Sequence, residues 1–190
     1  GMGGIGKTTL GIMVCYSPRV QRHFSSGVVW LTIGNKSHDI TNLQKVLLSR
    51  LLQGEPQRLE VIEKRIVVDE KWDVTVCNEE LRQLLVQDAG VQNSGNYLVV
   101  LDDVWDSKVI RDLLPDTSLG KSRIMVTTRQ HDLLGTDAAK IEVDLLDPDT
   151  SLAVLLRHAG VKLDELDAEN QGHAIKLAER CKGHAHTLAI

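Results

Sequence analysis

The apolar positions of this chain change period along its length. Gly27 to Ile33 (GVVWLTI), Tyr97 to Leu101 (YLVVL) and Ser122 to Thr128 (SRIMVTT) are short, β-branched, nearly continuous apolar runs. Such runs are the mark of strands buried on both faces. Lys140 to Val143 reads as a short fourth strand. Between them the period is helical. Leu43, Val46, Leu47 and Leu51 share one face of a helix spanning Asp39 to Gln53, and Gly54 suits its stop. The Gly-free stretch from Glu55 to Ala89 carries Leu59, Ile62 and Ile66, then Leu81, Leu84 and Leu85, which predicts two helices. Strands alternating with helices predict an α/β fold with a mostly parallel, doubly wound sheet and helices on both faces. Beyond Leu146 only helices are expected. Asp147 caps and Pro148 begins one with a Leu152, Leu155, Leu156 and Ala159 stripe ending at Gly160. A last helix runs from about Glu169 to Lys182, before Gly183. A subdomain boundary falls near residue 145.

Composition adds exclusions. With 190 residues, 42% of them hydrophobic and 25% charged, the chain can bury a core. Its net charge of -4 gives no global support for binding nucleic acid. Apolar runs reach only about five residues, against the roughly twenty of a membrane span, and no signal peptide is evident. Three dispersed cysteines, Cys15, Cys77 and Cys181, imply no disulfide framework and point to a reducing, cytoplasmic setting. The Asn35-Lys36-Ser37 sequon is read as chance without a secretion signal. Trp30 and Trp105 read as packing residues, Trp72 has no placement, and the scattered histidines 23, 38, 131, 158 and 173 read as surface or helix residues.

Residues 1–8, Gly1-Met2-Gly3-Gly4-Ile5-Gly6-Lys7-Thr8, fit G-x-x-x-x-G-K-[ST] without a mismatch. Glycines let backbone N–H groups turn toward phosphate oxygens, and the helix that follows adds its positive end. Lys7 reaches the terminal phosphates, and the Thr8 hydroxyl ligates Mg²⁺. Gly1, Gly3 and Gly6 also fit the dinucleotide pattern G-x-G-x-x-G. That reading needs an acidic residue about twenty positions on, and the first acid in the chain is Asp39. Gly120-Lys121-Ser122 imitates the tail of a P-loop but lacks the upstream Gly and leads into a strand.

Two further elements carry chemistry. Asp102 and Asp103 end the apolar run at 98–101, where a parallel strand delivers carboxylates to the ligand crevice. Asp102 can hold Mg²⁺ there, and Asp103 can orient or deprotonate a water. The competing reading is a strand end that caps a helix. Thr127-Thr128-Arg129 closes the next strand, and Arg129 there is either a γ-phosphate contact or a surface arginine.

With these motifs in order, the chain resembles the NB-ARC domain of plant nucleotide-binding, leucine-rich-repeat immune receptors, a signal-transducing branch of the P-loop NTPases. GMGGIGKTTL (1–10), LVVLDDVWD (98–106) and SRIMVTTR (122–129) carry the likeness. Weaker stretches are 24–33, 140–160 and 181–190. The resemblance implies an ADP/ATP switch with Mg²⁺, a weak ATPase whose slow hydrolysis resets it. Gly1, Gly3, Gly4, Gly6, Lys7, Thr8 and Thr9 would hold phosphates, with Thr8 and Asp102 on the Mg²⁺. Asp103 would be the base and Arg129 the γ-phosphate sensor. Residues 1–145 would form the nucleotide-binding subdomain and 146–190 the start of a helical one. Expected partners are the receptor's own N-terminal signalling domain, winged helix and repeats, then oligomer neighbours on activation.

The chain departs from the family at its closing motif, C-x-G-L-P-L-A. Cys181-Lys182-Gly183 is followed by His184-Ala185-His186, and Ala185 stands where the family has a Pro beside the nucleotide base. Cys181, His184 and His186 fall short of a zinc set, because no fourth ligand lies nearby. A P-loop normally follows a strand, so the chain is expected to be a fragment with unpaired sheet edges that folds poorly alone. Two other functions compete with the switch. One is a P-loop ATPase of another regulatory class with fast turnover. The other is a degenerate interaction module that no longer binds nucleotide.

Overall fold

The computed structural model describes residues 3–35, 39–86, 95–114, 119–135 and 138–189. Gly1, the 36–37 half of the sequon and the expected helix end near Ala89 lie outside them. Contacts divide the chain into two compact units, one of Gly11–Gly135 and one of Gly1–Leu10 with Thr136–Ile190.

The first unit is built on a parallel sheet of β1 (Gly27–Gly34), β4 (Tyr97–Val104) and β5 (Arg123–Thr128), with β4 in the centre. Val29 pairs with Val99, and Leu101 with Val126. Alternation in β1 sends Val29, Leu31 and Ile33 to one face, joined there by Val99 and Leu101 of β4. Helices supply much of the rest of that core: α3 (Ile40–Leu51), α4 (Pro56–Ile66), α5 (Val74–Leu85) and the short helix Ser107–Leu113, which adds Val109 and Leu113. Leu47, Ile66, Leu81 and Leu85 are fully buried in it. The other face receives the second half of α1 (Lys7–Tyr16). Gly11 lies so close to the Trp30 indole that an added Cβ would sit 3.1 Å from the ring. Between α1, α2 (Pro18–His23) and β1 lies an apolar cavity of about 640 Å³, lined by Ile12, Tyr16, Phe24, Val28 and Trp30.

Aspartates start the helices. Asp39 caps α3, Asp73 caps α5 and Asp106 caps α6 (Ser107–Leu113), each accepting from backbone N–H groups in the first turn. The pair of helices expected between 55 and 89 is present. Between them the chain makes a small hairpin of β2 (Val67–Val68) and β3 (Lys71–Trp72), which the apolar pattern does not announce. Its turn residues Asp69 and Glu70 have φ of 49° and 61°. The hairpin places Trp72, whose indole N–H donates to the Gln44 side chain at 2.9 Å. Gln44 is fully buried and donates in turn to Asn78 at 2.9 Å, so its amide is satisfied.

In the second unit, α7 (Pro148–Ala159), α8 (Ala168–Arg180) and α9 (Ala185–Leu188) pack together. Asp147 caps α7 and Gly160 ends it at φ 70°, as the pattern predicts. Gly183 is buried at φ 73°, and a Cβ there would sit 2.3 Å from the Leu146 carbonyl oxygen, so no other residue fits. Its own carbonyl accepts from the Leu146 N–H at 2.9 Å. The expected strand at 140–143 is not formed. These residues have no ladder partner among the described residues, and Ile141 is 86% exposed. Alternating Lys-Ile-Glu-Val favours an extended chain, but a strand exists only where a neighbour takes its hydrogen bonds.

Candidate phosphate site and strand-end acid cluster

The phosphate loop runs from the described Gly3 into the first turn of α1. Gly4 and Gly6 have φ of 78° and 100°, in the left-handed region that glycine adopts without strain. Ile5 between them is buried and pins the loop, while Lys7, Thr8 and Thr9 open the helix. A run of residues alternating into positive φ turns successive N–H groups to one side, and the helix end adds to their field. The described part of this loop therefore fits a phosphate. Within the same unit, α9 lies against the loop. The His186 N–H donates to the Gly4 carbonyl at 3.0 Å, and a Cβ on Gly6 would come 3.9 Å from Ala185. The segment carrying the Ala185 departure thus touches the phosphate loop directly. Among the described residues no cluster of metal-ligating side chains stands out, including at Cys181, His184 and His186.

The carboxylates lie at the C-terminal end of β4, in the first unit. Asp102 is 4% exposed, and one of its oxygens accepts a 2.6 Å hydrogen bond from the Thr127 hydroxyl. The same Thr127 oxygen accepts from the Asp103 N–H at 2.9 Å. Asp103 has φ 55°, and the β4–β5 register shifts between Leu101 and Val104. Such a bulge re-aims side chains at the sheet rim, and a non-glycine residue in this region costs about 1–3 kcal/mol. Thr127 reaches from β5 to β4 and holds both residues of the bulge, Asp102 and Asp103. Arg129 follows directly after β5. Its Nε stands 3.5 Å from Asp103 Oδ1, and its guanidinium lies 5.0 Å from the centre of the Trp105 ring.

Asp102, Asp103 and Arg129 are thus brought together at one strand end, and Gly3, Gly4, Gly6, Lys7, Thr8 and Thr9 on one loop and helix start. Gly1 lies outside the described residues. Sequence reasoning gave Thr127 no role and treated Trp105 as packing. The parallel register offers a signal for Thr127, since Leu101 opposite Val126 sets residue 127 beside Asp102.

A glycine-rich loop entering a helix, in a chain with a parallel sheet whose central strand ends in two aspartates, defines a P-loop NTPase fold. The chain belongs to the NB-ARC domain family, a nucleotide-binding P-loop domain, which it matches over residues 1–165. It is similar to disease resistance protein RPM1 of Arabidopsis thaliana, 31% identical over 96% of this chain and 19% of that protein. Disease resistance protein RPP8 of the same plant is also 31% identical over the same shares. Disease resistance protein RGA2 of Solanum bulbocastanum is 34% identical over 68% of the chain and 12% of that protein. The chain therefore spans about a fifth of the length of RPM1 and RPP8. Among the described residues no helix is long and apolar enough to cross a membrane.

Proposed function

We propose that this chain is the ADP/ATP-binding switch of an intracellular disease-resistance receptor. The observation that carries the reading is the G-x-x-x-x-G-K-T loop entering α1 with Gly4 and Gly6 at positive φ. Gly1, Gly3, Gly4 and Gly6 supply backbone N–H groups to the phosphates. Lys7 neutralises their charge, and Thr9 adds a hydroxyl. Thr8 and Asp102 hold Mg²⁺, which when bound offsets the charge of the phosphate oxygens. Asp103 orients and accepts a proton from an attacking water, and Arg129 reports the γ-phosphate. Residues 1–145 serve as the nucleotide-binding part and 146–190 as the start of a helical part. Hydrolysis is slow and resets the switch. Partners are the signalling domain, winged helix and repeats of the same receptor, and oligomer neighbours once it is active.

The test is to denature the purified protein and identify any released nucleotide by HPLC, with Lys7→Ala alongside. Stoichiometric ADP from the wild type, lost in Lys7→Ala, is the expected result. A folded wild type releasing nothing would instead favour a degenerate module, with Ala185 beside the loop the first suspect. Steady turnover of about 1 per second or faster would favour an ATPase of another class.

A further inference from the structure

Arg129 is held at the strand end by two neighbours of different chemistry. Asp103 offers a carboxylate oxygen 3.5 Å from its Nε, and Trp105 offers a ring face 5.0 Å from the guanidinium carbon. Neither neighbour is placed casually. The Asp103 backbone is held in the left-handed region and tied to Thr127. Among the described residues the buried Trp105 indole N–H has no acceptor, so hydrogen bonding of its polar edge is not what sets this side chain. What the position gives is the ring face under Arg129. Stacking of a guanidinium on Trp is among the stronger cation–ring contacts, and arginine is the side chain suited to it.

We propose that Asp103 and Trp105 form a docking place for the Arg129 guanidinium that sets the preference of the domain between nucleoside diphosphate and triphosphate. This rests on the proposed function, which gives Arg129 to the γ-phosphate. In this proposal the docked guanidinium is drawn away from a third phosphate, so that meeting one costs contacts with Asp103 and Trp105. The strength of docking is therefore subtracted from triphosphate affinity and leaves diphosphate affinity untouched. A ligand shifts an equilibrium only by its differential interaction with the two arrangements. Trp105 is in this sense a positioning residue that acts on specificity through Arg129.

The experiment measures displacement of a fluorescent ADP analogue by ADP and by the slowly hydrolysed ATPγS, with Mg²⁺, on the full-length protein that carries this domain. Trp105→Leu should tighten ATPγS about five-fold relative to ADP, the size of one exposed ion pair or cation–ring contact. Trp105→Phe, which keeps a ring face, should retain most of the wild-type ratio. Asp103→Asn, nearly isosteric, should shift the ratio in the same direction as Trp105→Leu and serves if the leucine variant does not fold. The decisive arm is Arg129→Gln. In that background Trp105→Leu should leave the ratio unchanged, because no guanidinium remains to dock. A ratio that stays at the wild-type value in Trp105→Leu and Asp103→Asn overturns the proposal, as does equal loss of both nucleotides or the same shift with Arg129 gone. A wild type that binds neither nucleotide overturns the proposed function as well, so the two failures differ.

Discussion

On one face of the sheet, Val29, Leu31, Val99 and Leu101 are at most 4% exposed and meet the fully buried Leu47, Leu81 and Leu85 of α3 and α5. On the other face the second half of α1 covers Trp30 and Met125 through the bare backbone of Gly11, yet it leaves Met13 66% and Tyr16 74% exposed. The strand sequences do not distinguish these faces, since GVVW and YLVV are apolar on both. The difference lies in how many helices arrive. Alternation places Leu98, Val100 and Asp102 on the same side of β4, and neither Leu98 nor Val100 belongs to the large core cluster. The candidate Mg²⁺ acid, itself 4% exposed, thus lies on the face opposite the large core cluster. Elements that bind and move are drawn from the less stable parts of a fold.

The comparison is broken most directly by truncating one side chain on each face. Leu81→Ala removes a side chain with no exposure and should cost about 2–5 kcal/mol. Met13→Gln on the exposed face of α1 should stay within about 0.5 kcal/mol. Urea denaturation followed by circular dichroism reads both. Equal losses at the two sites would remove the distinction.

Two smaller substitutions sharpen it. Ser122 is 1% exposed; its hydroxyl lies 2.8 Å from the Leu85 carbonyl oxygen and accepts from the Tyr97 N–H at 3.1 Å, stapling α5 to the strands. Ser122→Ala should cost about 1–3 kcal/mol by orphaning these groups. On the other face, Gly11→Leu should cost about 1–3 kcal/mol by overpacking against Trp30. Gly11→Ala should be near neutral, because its helix preference of about 1 kcal/mol offsets a small shift of the ring. A neutral Gly11→Leu would mean that the α1 face is loose rather than tightly fitted at Trp30.

What the sequence disclosed follows the same division. The three sheet strands, the helices begun at Asp39 and Asp147 and the phosphate loop were legible because each rests on local chemistry: continuous apolar runs, a short acceptor side chain, glycines at fixed spacing; the Asp73 and Asp106 caps were not read. The strand expected at 140–143 was not, because a strand depends on a partner that its own residues do not encode. The β2–β3 hairpin was missed for a different reason. Its turn uses Asp69 and Glu70 at positive φ, where Asn-Gly would have signalled it. Motif position singled out Asp102, Asp103 and Arg129, which meet at one strand end. The bridging of Thr127 to both carboxylate residues emerged only from the register of β5 on β4. Trp105 looked like packing because nothing in its spacing tells a ring face offered to Arg129 from one buried in a core.

The last comparison sets one thiol on each face against the other. Cys77 has no exposure in the closed core, and burial, then the Glu80 charge, push its thiol up to about 12. Cys15 is half-buried on α1, and burial raises it as well. An unfolded thiol ionises near 8.5. Because the folded Cys77 thiol resists ionisation, its contribution to stability is fully present below about 8.5 and is lost as pH rises from there toward about 12. Midpoints of thermal unfolding between pH 8.5 and 11 should therefore fall more steeply for the wild type than for Cys77→Ala, even though the alanine variant starts lower. Parallel slopes would show that Cys77 is not sequestered. Alkylation at pH 8 gives the matching kinetic readout: Cys15 should react in the folded protein, whereas Cys77 should react only as fast as its core opens.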